Sequence, residues 1–132
     1  MTFDYLSFFN FGLLILIWLV QLVIYPSFKH WDRRSFARNH AWYTGAITWV
    51  VLPLMFGQVG MLVVHWSPDA GGIIISQCLL VAIAWLATFS MSVPLHRRLQ
   101  QGWDMQTIDR LVISNVLRTI AWTIVFLLDF WR

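Results

Sequence analysis

Val93–Thr119 reads VPLHRRLQQGWDMQTIDRLVISNVLRT, a polar stretch between two long apolar runs. Pro94 closes the run before it, and a helical pattern resumes near Asp109 or Arg110. The stretch is therefore the basic connector of a helical hairpin. Its last residue but one is Arg118, about two turns into the second helix, within an apolar run.

The same pattern extends outward over the chain. An apolar run spans about 5–25 and stops at Pro26. A basic segment, SFKHWDRRSFARNH, leads into a second run over about 41–64 with Pro53 inside it. The connector HWSPDAGG carries turn residues, a third run covers 73–93, and a fourth runs from 110 to about 130. Each run approaches or exceeds the ~20 residues that a helix needs to cross a bilayer core. Charged residues make up 11% of the 132-residue chain, less than half of what a soluble domain carries. The runs lack the ten-residue alternation of barrel strands. The expected fold is all-α: one integral membrane domain over 1–132, an up-down antiparallel bundle of four helices in a lipid bilayer.

Basic residues fix the expected orientation. Lys29, Arg33, Arg34 and Arg38 lie in the connector 26–40, and Arg97, Arg98 and Arg110 in or beside the connector 94–109. Those seven of nine cations belong on the cytoplasmic side, with both termini on the other. This predicts a multi-pass protein of a cell membrane, the inner membrane if the source is bacterial. Trp31, Trp42, Trp66, Trp103 and Trp131 fall near the ends of the runs, as interfacial tryptophans do. The clustering of charge by loop does not suggest nucleic acid. The single cysteine, Cys78, excludes an internal disulfide framework. The first run is too long for a signal-peptide core and no small-residue cleavage site follows it.

Placed by depth, the polar residues converge on the cytoplasmic half. Gln21 and Tyr25 end the first helix, and His40, Thr44 and Thr48 begin the second. Thr88, Ser92 and His96 end the third, while Ser114, Asn115, Arg118 and Trp122 share one face of the fourth. Arg118 lies roughly 12 Å deeper than Arg110. A charge there costs about 2.5–3.5 kcal/mol, so Arg118 either snorkels to the headgroups or faces inward onto a polar or anionic partner. His40 and His96 are the one pair of histidines at a common depth, suited to a transition metal or an axially held haem or to simple solvation. The other half, apart from Asn10, Gln58 and Gln77, is mostly hydrocarbon, and Gln58 is expected to be structural.

The segments VQLVIYPSF, NHAWYTGAITWVVLPLM, SVPLHRRLQQGWD and RLVISNVLRTIAWT resemble a family of small bacterial four-span membrane proteins of unassigned function. They are more distantly similar to anthrone oxygenase-like membrane proteins. The resemblance implies a shared polar set of Gln21, Tyr25, His40, His96, Asp104, Asn115, Arg118 and Trp122. Two positions depart from the pattern. An acid expected after Pro-x-Met is replaced by Phe56-Gly57-Gln58, and a Trp after the Asn is replaced by Val116.

These observations leave two readings. In one, Gln21, Tyr25, Asn115, Arg118 and Trp122 bind a lipid-soluble small molecule while His40 and His96 hold a metal or haem, as in an oxidoreductase. In the other, the chain is a non-catalytic accessory subunit of a larger membrane complex or self-associates. A transporter is a weaker third, because a polar path through the outer half looks thin.

Overall fold

A computed structural model describes residues 4–132. Among them there is no strand, and four helices are long and apolar enough to cross a membrane: α1 (Tyr5–His30), α2 (Phe36–His65), α3 (Gly72–Leu99) and α4 (Met105–Trp131). They form the antiparallel four-helix bundle that the apolar runs predict. At the basic end every helix continues beyond its apolar run, into segments expected to be connectors. His40 and His96 consequently sit within helices. The remaining connectors are 31–35, 66–71 and 100–104. In the last of these Gly102 has φ of 145°, a backbone conformation that a Cβ would strain.

Local chemistry explains the helix ends. Asp4 caps α1 by accepting from the Ser7 N–H at 2.9 Å, and Asp104 caps α4 through the Thr107 N–H at 2.9 Å. The Asp104 carboxyl is held below the usual range by hydrogen bonds from the Thr107 hydroxyl and N–H. Asp104 is thus a structural cap on the surface, apart from the polar set in which the resemblance placed it. Pro53 is carried inside α2 without ending it, as membrane helices allow.

Pro26 and Pro94 act differently. Proline has no N–H to donate and its ring crowds the carbonyl four residues back. Just before each proline the helix widens by one residue into a π-turn, over Val20–Ile24 and Thr88–Ser92. The Tyr25 N–H then bonds to Val20 O, and the Val93 N–H to Thr88 O. Such bulges re-aim the residues that follow. Here those residues include Tyr25 and His96.

The core is three layers stacked along the bundle. At the basic end Val20, Phe28, Phe36, Leu99, Ile108 and Leu111 pack together; Leu13, Ile17, Met55, Ala84 and Trp122 form the middle; Leu6, Leu62, Ile74, Val81 and Val125 close the far end. Large apolar side chains also cover the outside, among them Phe8, Trp49, Leu86 and Ile113. A helix apolar on all sides suits a lipid surround. Of the expected interfacial tryptophans, Trp42, Trp66 and Trp131 are exposed. Trp31 and Trp103 instead pack onto the core, with the Trp103 indole donating to Phe28 O at 3.2 Å.

Helix packing is uneven in a way that matters for the site. α4 lies against both α1 and α3, and α1 lies against α2, but α2 and α3 scarcely touch. The bundle is open along that one seam.

Candidate functional site

The open seam is a cleft of about 430 Å³. Its sides are Thr44, Thr48 and Val51 of α2 and Trp85, Phe89 and Ser92 of α3; its floor is Leu13 and Ile17 of α1 with Arg118 and Trp122 of α4. Exposed Thr48, Leu52 and Phe89 stand at its lateral opening, and Arg97 and Gln100 at its basic end. The cleft is largely apolar, with its polar groups gathered toward the basic end.

Arg118 organises those groups. It is only 7% exposed, so it does not snorkel to the headgroups; it faces inward. One terminal nitrogen donates to Thr88 Oγ1 at 3.2 Å, and the other to Tyr25 Oη at 3.2 Å and to Asn115 Oδ1. The Asn115 amide donates to Gln21 Oε1 at 2.9 Å, and Gln21 in turn donates to Val112 O at 3.2 Å. Tyr25 Oη lies 2.9 Å from His96 Nε2, and His96 Nδ1 lies 2.9 Å from His40 Nε2. A single hydrogen-bonded chain thus joins Gln21, Asn115, Arg118, Tyr25, His96 and His40 across all four helices. Three buried donors among the cleft-lining side chains have no protein partner: Arg118 Nε, Trp85 Nε1 and the Ser92 hydroxyl.

The two histidines play unequal parts. His96 lines the cleft, whereas His40 is fully buried behind it among Phe28, Phe36 and Tyr43. Their facing nitrogens at 2.9 Å are closer than the ~4 Å separating two axial ligands at metal–nitrogen distances of ~2 Å. They are nearer the spacing of two ligands on one face of an ion. No group of three or more His, Cys, Asp or Glu capable of holding a metal occurs among the described residues. The pair would supply two ligands, and further ones would have to come from a bound molecule, since Tyr25 Oη sits at the other nitrogen of the His96 ring.

Thr44 and Thr48 reach the cleft wall but spend their hydroxyls on carbonyls of their own helix, at 3.0 and 2.6 Å. Ser114 likewise bonds to Leu111 O. Trp122 lines the cleft, yet its indole N–H points the other way, to Gln58 Oε1 at 3.1 Å. Gln58 therefore pairs across helices, and it opens a second network. Its amide donates to Asn10 Oδ1 at 2.7 Å, and Asn10 donates to both oxygens of Asp129 at 3.1 and 2.9 Å. Asp129 also accepts from Gln77 at 2.8 Å and from Arg132 at 3.3 Å. Arg132 forks onto Asp4 at 2.6 and 2.8 Å, and His65 lies 3.2 Å from the same carboxylate.

Asp129 was not among the residues singled out from the sequence, although a signal was there. The stripe Asn115, Arg118, Trp122 continues at helical spacing through Val125 to Asp129. Thr88 and Ser92, read from the sequence only by depth, prove to belong to the site itself.

Fold and site together define a bundle of four membrane-spanning helices whose buried polar chain faces a cleft open laterally between α2 and α3. No protein-family model, curated protein or solved structure matches this chain.

Proposed function

We propose that the cleft binds a lipid-soluble molecule bearing oxygen acceptors, received sideways from the inner leaflet between α2 and α3. The observation that carries this reading is the set of unpartnered buried donors at the cleft, Arg118 Nε, Trp85 Nε1 and Ser92 Oγ. Buried donors are nearly always paired, and leaving one unpaired costs about 1–3 kcal/mol. An anionic or carbonyl oxygen at the basic end would satisfy Arg118 Nε and Ser92 Oγ, while Leu13, Ile17, Val51 and Met55 would cover the apolar body of the ligand. Trp85 Nε1 would meet a second oxygen further along it. Concave, mostly apolar sites with a few converging polar groups are the usual form of small-molecule sites. The likeness to anthrone oxygenase-like proteins points the same way, toward a hydroxylated or quinone-like aromatic ring.

The test is extraction and mass analysis of protein purified in mild detergent, with absorbance and elemental analysis of the same preparation. Wild type is expected to retain an oxygen-bearing amphiphile near one per chain, and Arg118→Gln to lose it while remaining helical. An empty wild type, with a partner protein copurifying instead, would favour the accessory-subunit reading. Stoichiometric metal or haem, lost in His40→Ala/His96→Ala, would add a cofactor to the site.

A further inference from the structure

We propose that the cleft is a proton-transfer site in which a bound acidic hydroxyl passes its proton inward through Tyr25 and His96 to His40. The proposal rests on the ligand reading above and names its chemistry, a phenol or enol.

The direction follows from elementary donor and acceptor capacity. Arginine has no acceptor, so at the 3.2 Å contact Tyr25 Oη must accept from Arg118. The phenol hydrogen is then free to donate to His96 Nε2 at 2.9 Å. A neutral His96 accepting at Nε2 carries its hydrogen on Nδ1, which donates to His40 Nε2 at 2.9 Å. A neutral His40 then carries its own hydrogen on Nδ1, the atom without a partner.

The opposite direction leaves two groups badly placed. Tyr25 would accept twice and its hydrogen would have no protein partner. His40 Nδ1 would be a bare lone pair among the rings of Phe28, Phe36 and Tyr43, whose centroids lie 5.3, 5.5 and 6.3 Å from its own. Aromatic faces are electron-rich, so they suit an N–H and repel a lone pair. The inward direction leaves one unpaired N–H, on His40 Nδ1, and gives the tyrosine hydrogen a partner.

Transfer balances in three moves along that line. The ligand O–H bond breaks and its proton joins Tyr25 Oη as the tyrosine proton passes to His96 Nε2. The His96 Nδ1 proton then passes to His40 Nε2. The ligand becomes an oxyanion beside Arg118, and His40 becomes an imidazolium among the rings of Phe28, Phe36 and Tyr43. No oxidant or co-reactant is required. Tyr25 meets the ligand, whereas His40 acts through His96 and is a positioning residue and proton store.

The test is nitrogen NMR of histidine-labelled protein in nanodiscs, with resonances assigned through His40→Gln and His96→Gln. Without ligand, His40 and His96 are each expected to show a protonated Nδ1 and a bare Nε2; a protonated Nε2 on neutral His96 overturns the relay. The probe for transfer is an alkyl-substituted 4-nitrophenol, whose phenolate is coloured. Its binding to wild type should produce phenolate and a doubly protonated His40. Tyr25→Phe should bind the phenol and leave His40 neutral. Phenolate formed in wild type with both histidines neutral overturns the proposal. Failure of the nitrophenol to bind, with the tautomers as stated, counts against the cleft reading and supports the direction of the chain.

Discussion

Arg118 offers five N–H donors in a fixed fork, and four helices contribute to what surrounds it: Asn115 on its own helix, Tyr25, Thr88, and His40 through His96. The sequence placed the guanidinium among the polar groups of the other helices but could not say which way it turned, because snorkelling and inward pairing use the same residue at the same position. Asn115, one turn earlier, was the hint, and its short reach decides the matter: it bonds to Arg118 and holds Gln21. Asp129 presents the same problem with opposite sign. It is 2% exposed and accepts from Asn10, Gln77 and Arg132. Asp129→Asn sets an amide hydrogen against those donors, and breaking such a buried charge network is costly. A loss of about 2–4 kcal/mol is expected in denaturant titration. Asp109→Asn, which removes only the half-exposed pair with Lys29, is expected to cost less than about 1 kcal/mol.

At the scale of the element, apolar length alone located four helices, and the 3.6-residue period correctly aligned Asn115, Arg118 and Trp122 on α4. That same period misjudges α1 and α3 where Pro26 and Pro94 force π-turns. Gln21 and Tyr25 look like neighbours on one face of a regular helix. The π-turn separates their tasks, so that Gln21 turns to Val112 and Asn115 while Tyr25 turns to the cleft. Close packing of α1 on α2 is likewise invisible in composition. A Cβ on Gly57 would collide with the Phe9 ring, whereas one on Gly60 would meet nothing within 4 Å. Alanine normally stabilises a helix over glycine by up to about 1 kcal/mol. Gly60→Ala should show that gain in thermal unfolding. Gly57→Ala should lose it and more, since Phe9 must leave its groove.

Across the whole molecule, two polar networks divide the bundle, one on each side of Trp122. Tryptophan has a single polar hydrogen, and Trp122 gives it to Gln58, so the indole stands between the two networks without carrying a proton between them. This accounts for a sparse polar track away from the basic end that nevertheless contains a buried carboxylate: it is a lock. The fork from Arg132 to Asp4 closes that end, tying the last residue to the cap of α1. The Arg132 hydrogen bond holds the Asp4 carboxyl well below its usual range, against the opposing effect of burial. A depressed carboxyl stabilises the fold above its unfolded value of ~3.9 and loses that contribution as pH falls toward its folded value. The difference in unfolding midpoint between wild type and Arg132→Gln should therefore be on the order of 1 kcal/mol at pH 7 and narrow progressively below about pH 4. The four-helix topology was legible from run length. The lock was not, because Asp129 and Arg132 read as ordinary interfacial charges until α4 is followed to its end. The π-turns carry a last consequence. Each holds one residue more than a regular helix needs for that stretch. Deleting a single codon in either would remove the surplus residue and restore a regular helix, with Tyr25 or His96 kept close to its present heading. The same deletion one or two turns earlier, in regular helix, would turn everything beyond it by about 100° and swing that side chain away from the cleft. The two π-turns are thus the places where these helices can lose a residue and keep the site.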